Sequence, residues 1–203
     1  SPGKEAGHIA HGKALDLALE QVETDYLFLL HTDTFVYDKE VFEMMLRECT
    51  KSADIVAVGC VEQINRGIVR DTWRLTSRFC KHYVRQAKVR LGMKSKPPRP
   101  YKETHLKSFC TLWNVRLMKS HGLHFCMDDR VPGYTLQDRM VSLGYGIKLL
   151  SPRKIFRYLD HIQAGTVAAA GTYGKNHRRT KMYQATIERF QGQRDKRGIQ
   201  TSV

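Results

Sequence analysis

The run Asp25-Tyr-Leu-Phe-Leu-Leu-His-Thr-Asp-Thr34 constrains this chain more than any other. Tyr26 to Leu30 is too short an apolar run for a helix. Charge bounds it on one side and His-Thr-Asp on the other, so it reads as a buried strand of an α/β sheet. Ligands of open α/β sheets gather at the carboxyl ends of strands. His31 and Asp33, two residues apart just past such an end, can face one metal ion or one polyphosphate. A plain turn, with Asp33 capping a helix that begins near Asp38, accounts for the same residues.

The flanking segments read as helix and strand in alternation. From His11 to Val22, Ala14, Leu15, Leu17, Ala18 and Val22 recur at helical spacing, with Asp16, Glu20 and Glu23 on the other side. Before it, Gly7-His-Ile-Ala-His-Gly12 offers two flexible positions, which would leave Lys13 at a helix start. Free N–H groups, a glycine and a lysine there suit a diphosphate, although short patterns of this kind also arise by chance. A second helix is expected from about Tyr37 to Glu48 and a buried strand over 54–59, making a βαβ unit.

Charge divides the chain. Residues 1–65 carry twelve acidic and five basic residues, whereas 66–203 carry twenty-nine basic and eight acidic. That asymmetry implies an anionic partner for the later part. Arg70, Arg74, Arg78, Lys81, Arg85 and Lys88 are spaced by three and four, so they share one helical stripe. The two prolines after Lys96 end any helix there. Residues 66–104 thus read as a basic helical insertion or lid. The stripe is either a merely solvated face or a surface for phosphate, anionic lipid head groups or nucleic acid.

Beyond it, Leu106 to Trp113 reads as a strand and Val115 to His121 as a short helix. Asp128 and Asp129 precede a proline turn, where they either cap it or bind hydroxyls. Asp138 is expected at the start of a helix over Arg139–Leu143, as a cap-region acid or as a general base in a cleft. Tyr145–Leu150 and Ile155–Leu159 read as strands, the latter ending at Asp160 and His161. Residues 166–203 read as a basic extension with an amphipathic helix over Met182–Phe190. Five cysteines, widely spaced and odd in number, fit neither a zinc ribbon nor a disulfide scaffold, and a reducing, cytoplasmic setting is expected. No run of 18 apolar residues is present.

Taken in order, these features resemble the family-two glycosyltransferases. Gly12-Lys-Ala-Leu-Asp-Leu-Ala-Leu19 is similar to that family's Gly-Lys-x-x-Ala-Leu-Asn region, and Asp25 to Asp33 resembles the strand entering its Asp-x-Asp motif. Phe109 to Arg116 resembles the strand and turn lining the donor sugar. Gln137-Asp138-Arg-Met-Val-Ser-Leu-Gly-Tyr145 is similar to the Glu-Asp region that supplies the base, and His161 falls where many members have a histidine. His31 stands where the family has its first Asp, and Gln137 where it has Glu. The family's amino-terminal strands, which hold the nucleotide base, have no counterpart ahead of Ser1, so an incomplete donor site is expected. Ser1-Pro-Gly-Lys has neither an initiator methionine nor a signal-peptide h-region, and a fragment or a mature product is expected.

The resemblance implies an α/β chain of the GT-A (nucleotide-diphospho-sugar transferase) fold, a three-layer α/β/α with a mixed, mostly parallel sheet over residues 1–165. It also implies an inverting transfer from a nucleotide-diphosphate sugar to a hydroxyl acceptor. Asp138 is then the base, with Lys13, His31, Asp33 and Trp113 on the donor. Asp33, His161 and His31 would hold Mn2+ or Mg2+, and Asp128 and Asp129 would meet the acceptor. The expected partners are the nucleotide sugar, an anionic or glycan acceptor, an anionic membrane met peripherally, and a second copy of the chain. A polyanion- or nucleic-acid-binding module without catalysis, and a sugar-nucleotide nucleotidyltransferase, are the rival readings.

Overall fold

The computed structural model describes residues 7–65, 67–162 and 184–192. Contacts divide the chain into two compact units, residues 1–64 with 106–203 and residues 65–105.

The larger unit is mixed α/β. Its helices are α1 (Gly7–Glu20), α2 (Glu40–Cys49), α4 (Val115–Ser120), α5 (Tyr134–Ser142) and α6 (Pro152–Ile155), with a further helix, α7, over 184–192; α3 (Ile68–Arg90) belongs to the smaller unit. Its strands are β1 (Tyr26–Leu30), β2 (Thr34–Val36), β3 (Ile55–Gly59), β4 (Cys110–Asn114), β5 (Gly146–Leu149) and β6 (Leu159–His161). The main sheet has the order β1-β4-β3-β5. β4 runs antiparallel to both neighbours, and among the described residues only β3 and β5 pair in parallel. The expectation of a mostly parallel sheet is therefore corrected. β1, α2 and β3 do not make an adjacent βαβ unit, because β4 arrives from across the chain and separates the two strands.

Alternation along the strands builds a core on each face. Phe28, Val58, Cys110 and Leu112 face Val41, Met44 and Met45 of α2. Leu27, Leu29, Val56 and Trp113 face Leu19 of α1, Met118 of α4, and Leu136 and Met140 of α5. A bulge at Ile55/Ala57 lets Val56 and Ala57 both turn to this second face, since the extra residue breaks the alternation. Truncating one of the fully buried side chains, such as Met45 or Leu112, would cost roughly 2–5 kcal/mol.

Several boundaries differ from expectation for local reasons. The helix expected from His11 begins at Gly7, so Gly7–Gly12 is helical and not a flexible turn. Gly12 is required by proximity: a Cβ there would lie 2.9 Å from Cys126 Cβ and 3.1 Å from Pro132 Cγ. Asp16, expected on a solvated face, instead accepts hydrogen bonds from Phe125 N–H (2.6 Å), Cys126 N–H (3.0 Å) and His124 Nδ1 (2.8 Å), clamping α1 to that loop. The segment 155–159, expected as a strand, is instead the last residue of α6, a three-residue turn and the first residue of β6. Ser151 Oγ caps Lys154 N–H, and Pro152 occupies the first turn, where its missing donor is harmless. The second helix begins at Glu40, leaving room for β2, which the sequence did not suggest.

The smaller unit holds α3 and the segment after it. α3 carries the expected basic stripe, and none of its residues is buried. Phe79, His82 and Tyr83 pack against Tyr101, and His82 Nδ1 lies 2.8 Å from the Arg99 carbonyl oxygen, folding the proline segment back along the helix.

In the larger unit, α7 lies on the β2/β6 ribbon. Phe190 contacts the rings of Phe35 and Tyr37, and Arg189 pairs with Asp160 at 3.0 Å. Of the amphipathic helix expected over Met182–Phe190, Met182 and Tyr183 lie outside the described residues. Among the described residues, no helix is long and apolar enough to cross a membrane.

Candidate metal centre

The chain leaves β1 at Leu30 and turns within four residues into β2. Three backbone contacts hold this turn: His31 N–H to the Phe109 carbonyl (3.1 Å), Thr34 N–H to the His31 carbonyl (3.0 Å), and Ile162 N–H to the Asp33 carbonyl (3.0 Å). β2 then pairs antiparallel with β6, in a register that sets Thr34 opposite His161. That pairing delivers a histidine from the far end of the chain to the carboxylate after β1. His31, Asp33 and His161 each offer a ligand atom within 4.8 Å of the others.

Orientation favours metal binding as well as proximity. A carbonyl oxygen only accepts, so the contact of His161 Nδ1 with the Gln63 carbonyl (2.9 Å) places the proton on Nδ1. In the neutral ring Nε2 then presents a lone pair 3.1 Å from Asp33 Oδ1. Nε2 is buried and makes no hydrogen bond. A backbone carbonyl that fixes the tautomer of a ligating histidine is a common supporting contact at metal sites. His31 Nδ1 lies 4.0 Å from the same oxygen, and its Nε2 lies 2.8 Å from Ser108 Oγ. Burial, followed by the neighbouring His161, holds the His31 pKa below its ordinary value despite the opposing pull of Asp33, which favours the neutral, ligating form. Phe109 stacks on His161 at 4.9 Å and limits its rotation.

A small cleft is lined by Leu29, Ser108, Thr111, Trp113, Phe125 and Gly133, among others. Ser108 joins it to the candidate centre through His31. Trp113 is buried in its wall, with Nε1–H donating to Thr111 Oγ1 (3.2 Å) and the ring edge-on to Phe125.

The remaining candidates are placed elsewhere. Lys13 is exposed in the interior of α1, so the free N–H groups expected beside it are engaged in the helix, and the diphosphate cradle is corrected. Asp138 is the fifth residue of α5, not its start. It is exposed and pairs with Arg130 Nη1 at 2.7 Å. Its neighbour Gln137 takes the inward position, where Oε1 accepts from Leu106 N–H (3.0 Å). Asp138 does not line the cleft. Asp128 and Asp129 are exposed with φ of 55° and 50°, and Asp128 lies 3.4 Å from Arg139. Two successive non-glycine residues in that region are uncommon and store strain in the loop.

Sequence reasoning did not find Ser108, a lone serine before a strand, or the Gln63 carbonyl, which carries no side-chain signal. It also left His11 unassigned, although its ring lies 6.1 Å from that of His31. Comparison with family models, curated proteins and solved structures finds no match to this chain.

Proposed function

We propose that this chain carries catalytic parts of an inverting glycosyltransferase of GT-A type, taking a sugar from a nucleoside-diphosphate sugar to a hydroxyl acceptor. The observation that carries the reading is the buried, unbonded Nε2 of His161 facing Asp33 at the carboxyl end of a sheet strand, with His31 beside them. A mixed sheet with cores on both faces is compatible with it.

Asp33, His161 and His31 would hold the divalent cation. Two imidazoles favour Mn2+ over Mg2+, which prefers an oxygen shell. Bound there, the ion supplies positive charge to a departing diphosphate. The chain does the rest: Ser108 orients His31, Gln63 orients His161, and Trp113 offers one wall for a sugar. Asp138, exposed and outside the cleft, is proposed as the base on the resemblance of its segment alone, and opening its pair with Arg130 costs only about 0–1 kcal/mol. Asp128 and Asp129 stand as acceptor contacts.

The test is calorimetry on the purified chain with Mn2+, and then with UDP-, GDP- and dTDP-sugars. Mn2+ at a hundred times its Kd should stabilise the fold by about 2.7 kcal/mol. Asp33→Ala should weaken the metal at least tenfold, while Asp138→Asn should keep donor binding and lose transfer. Metal binding unchanged by both Asp33→Ala and His161→Ala would refute the site. A second reading comes from the donor set, because two imidazoles and a carboxylate also serve iron(II) oxygenases. Iron-dependent oxygen uptake, without affinity for any sugar nucleotide, would favour it.

A further inference from the structure

α3 departs from the usual relation between burial and polarity. Ordinarily the apolar stripe of a helix is the covered one. Here Arg74, Ser77, Arg85 and Gln86 are half-buried, while Val69, Trp73 and Leu91 are exposed at 81%, 73% and 74%. At about 3.6 residues per turn, Val69, Trp73, Val84 and Leu91 fall on one arc. Arg70, Lys81 and Lys88 lie along one margin of that arc, and all three are exposed. The smaller unit has twelve basic and two acidic residues over 65–105.

We propose that α3 docks in the plane of a bilayer rich in anionic lipid, with this apolar arc among the upper acyl chains and Arg70, Lys81 and Lys88 at the phosphates. The inference concerns the smaller unit and is independent of the sugar-transfer reading. Three observations favour a lipid surface over a nucleic acid. The open arc is apolar and includes Trp73, a residue suited to the water–acyl boundary. Two arginines of the stripe, Arg74 and Arg85, are half-buried. Flanking cations beside an apolar face are the pattern of helices that lie on anionic membranes, and about 35 Å of helix gives that face its length. Because α3 is not apolar enough to cross a membrane, it lies on the surface.

The full chain is floated with vesicles of phosphatidylcholine alone and of phosphatidylcholine with 30% phosphatidylserine. The bound fraction should rise at least tenfold with the anionic lipid. Trp73 emission, taken as the difference between the wild type and Trp73→Phe, should shift blue and be quenched by brominated acyl chains. Val69→Glu with Val84→Glu, and separately Arg70→Glu with Lys88→Glu, should each reduce binding at least tenfold. Both pairs are exposed, so circular dichroism and the unfolding midpoint should stay unchanged, which excludes misfolding as the cause. The proposal is overturned by equal binding to neutral vesicles, or by vesicle binding that survives Val69→Glu with Val84→Glu. It is also overturned if that variant abolishes self-association while the wild type ignores vesicles, or if duplex DNA binds tightly with no dependence on the apolar arc.

Discussion

Asp16→Ala should cost about 2–4 kcal/mol of stability, from a residue that sits on a helix and would pass for a surface acid. Its carboxylate accepts Phe125 N–H at 2.6 Å, Cys126 N–H at 3.0 Å and His124 Nδ1 at 2.8 Å. Hydrogen bonds to a charged group contribute roughly 1.5–3 kcal/mol each, and the two backbone donors lose their acceptor together. Two effects reduce the sum. The Asp16 side chain is 21% exposed, so water reaches part of the gap. Alanine is also the better helix former by up to about 0.7 kcal/mol. Asp16→Asn keeps one acceptor oxygen but sets an amide N–H against the other donor, so it should lose about 1–2 kcal/mol. Urea titration followed by circular dichroism reads the difference. With an m-value of about 2 kcal/mol/M, the alanine midpoint should fall by about 1–2 M at constant slope. A loss below about 0.5 kcal/mol for Asp16→Ala would refute the clamp, and with it the claim that α1 fixes the loop forming the Phe125 and Gly133 wall of the cleft.

Other outcomes follow from single contacts. Gly12→Ala should destabilise by about 1–3 kcal/mol by thermal melting, since its methyl group would press on Cys126 and Pro132, and an unchanged melting temperature would contradict that packing. The Glu48 carboxyl is held down to about 2, chiefly by its hydrogen bond to Lys51 (2.9 Å) and further by Lys154, against desolvation. A depressed carboxylate stabilises the fold above its unfolded value and loses that contribution as pH falls through the folded one. The advantage of wild type over Glu48→Gln should therefore be full above about pH 4.5 and vanish towards pH 2. Its cover is a roof of half-exposed lysine side chains, so solvent screening holds the difference to about 1–2 kcal/mol. With a thiol reagent in native buffer, Cys80 should react first and Cys126 more slowly. Cys49 and Cys110 should wait for unfolding, because burial raises their thiols to about 11 and about 12.

Much of the larger unit was legible from periodicity. Tyr26–Leu30 and 55–59 read as strands because each is an apolar run too short for a helix and opens after an acidic residue, and α2 followed from Val41, Phe42, Met45 and Leu46 at helical spacing. Half of the candidate centre was legible too, as His31 and Asp33 stand together after a strand. α5 was placed too late, because Thr135 and Gln137 are polar letters in buried positions. Gln137 is held there by a bond to a backbone donor thirty-one residues earlier.

The sequence alone determined which segments are apolar and at what period, and therefore which strands and helices form and where the basic residues collect. It could not determine strand order. β4 inserts between β1 and β3 through hydrogen bonds that no local pattern encodes, and β2 gains a partner only when β6 returns to it. For the same reason the centre exists only in three dimensions: the tautomer of His161 is set by the carbonyl of Gln63, and its lone pair meets Asp33 only through the register of two three-residue strands. Side-chain chemistry is local and can be read in order, whereas a ligand set depends on distance and direction, which long-range pairing alone supplies.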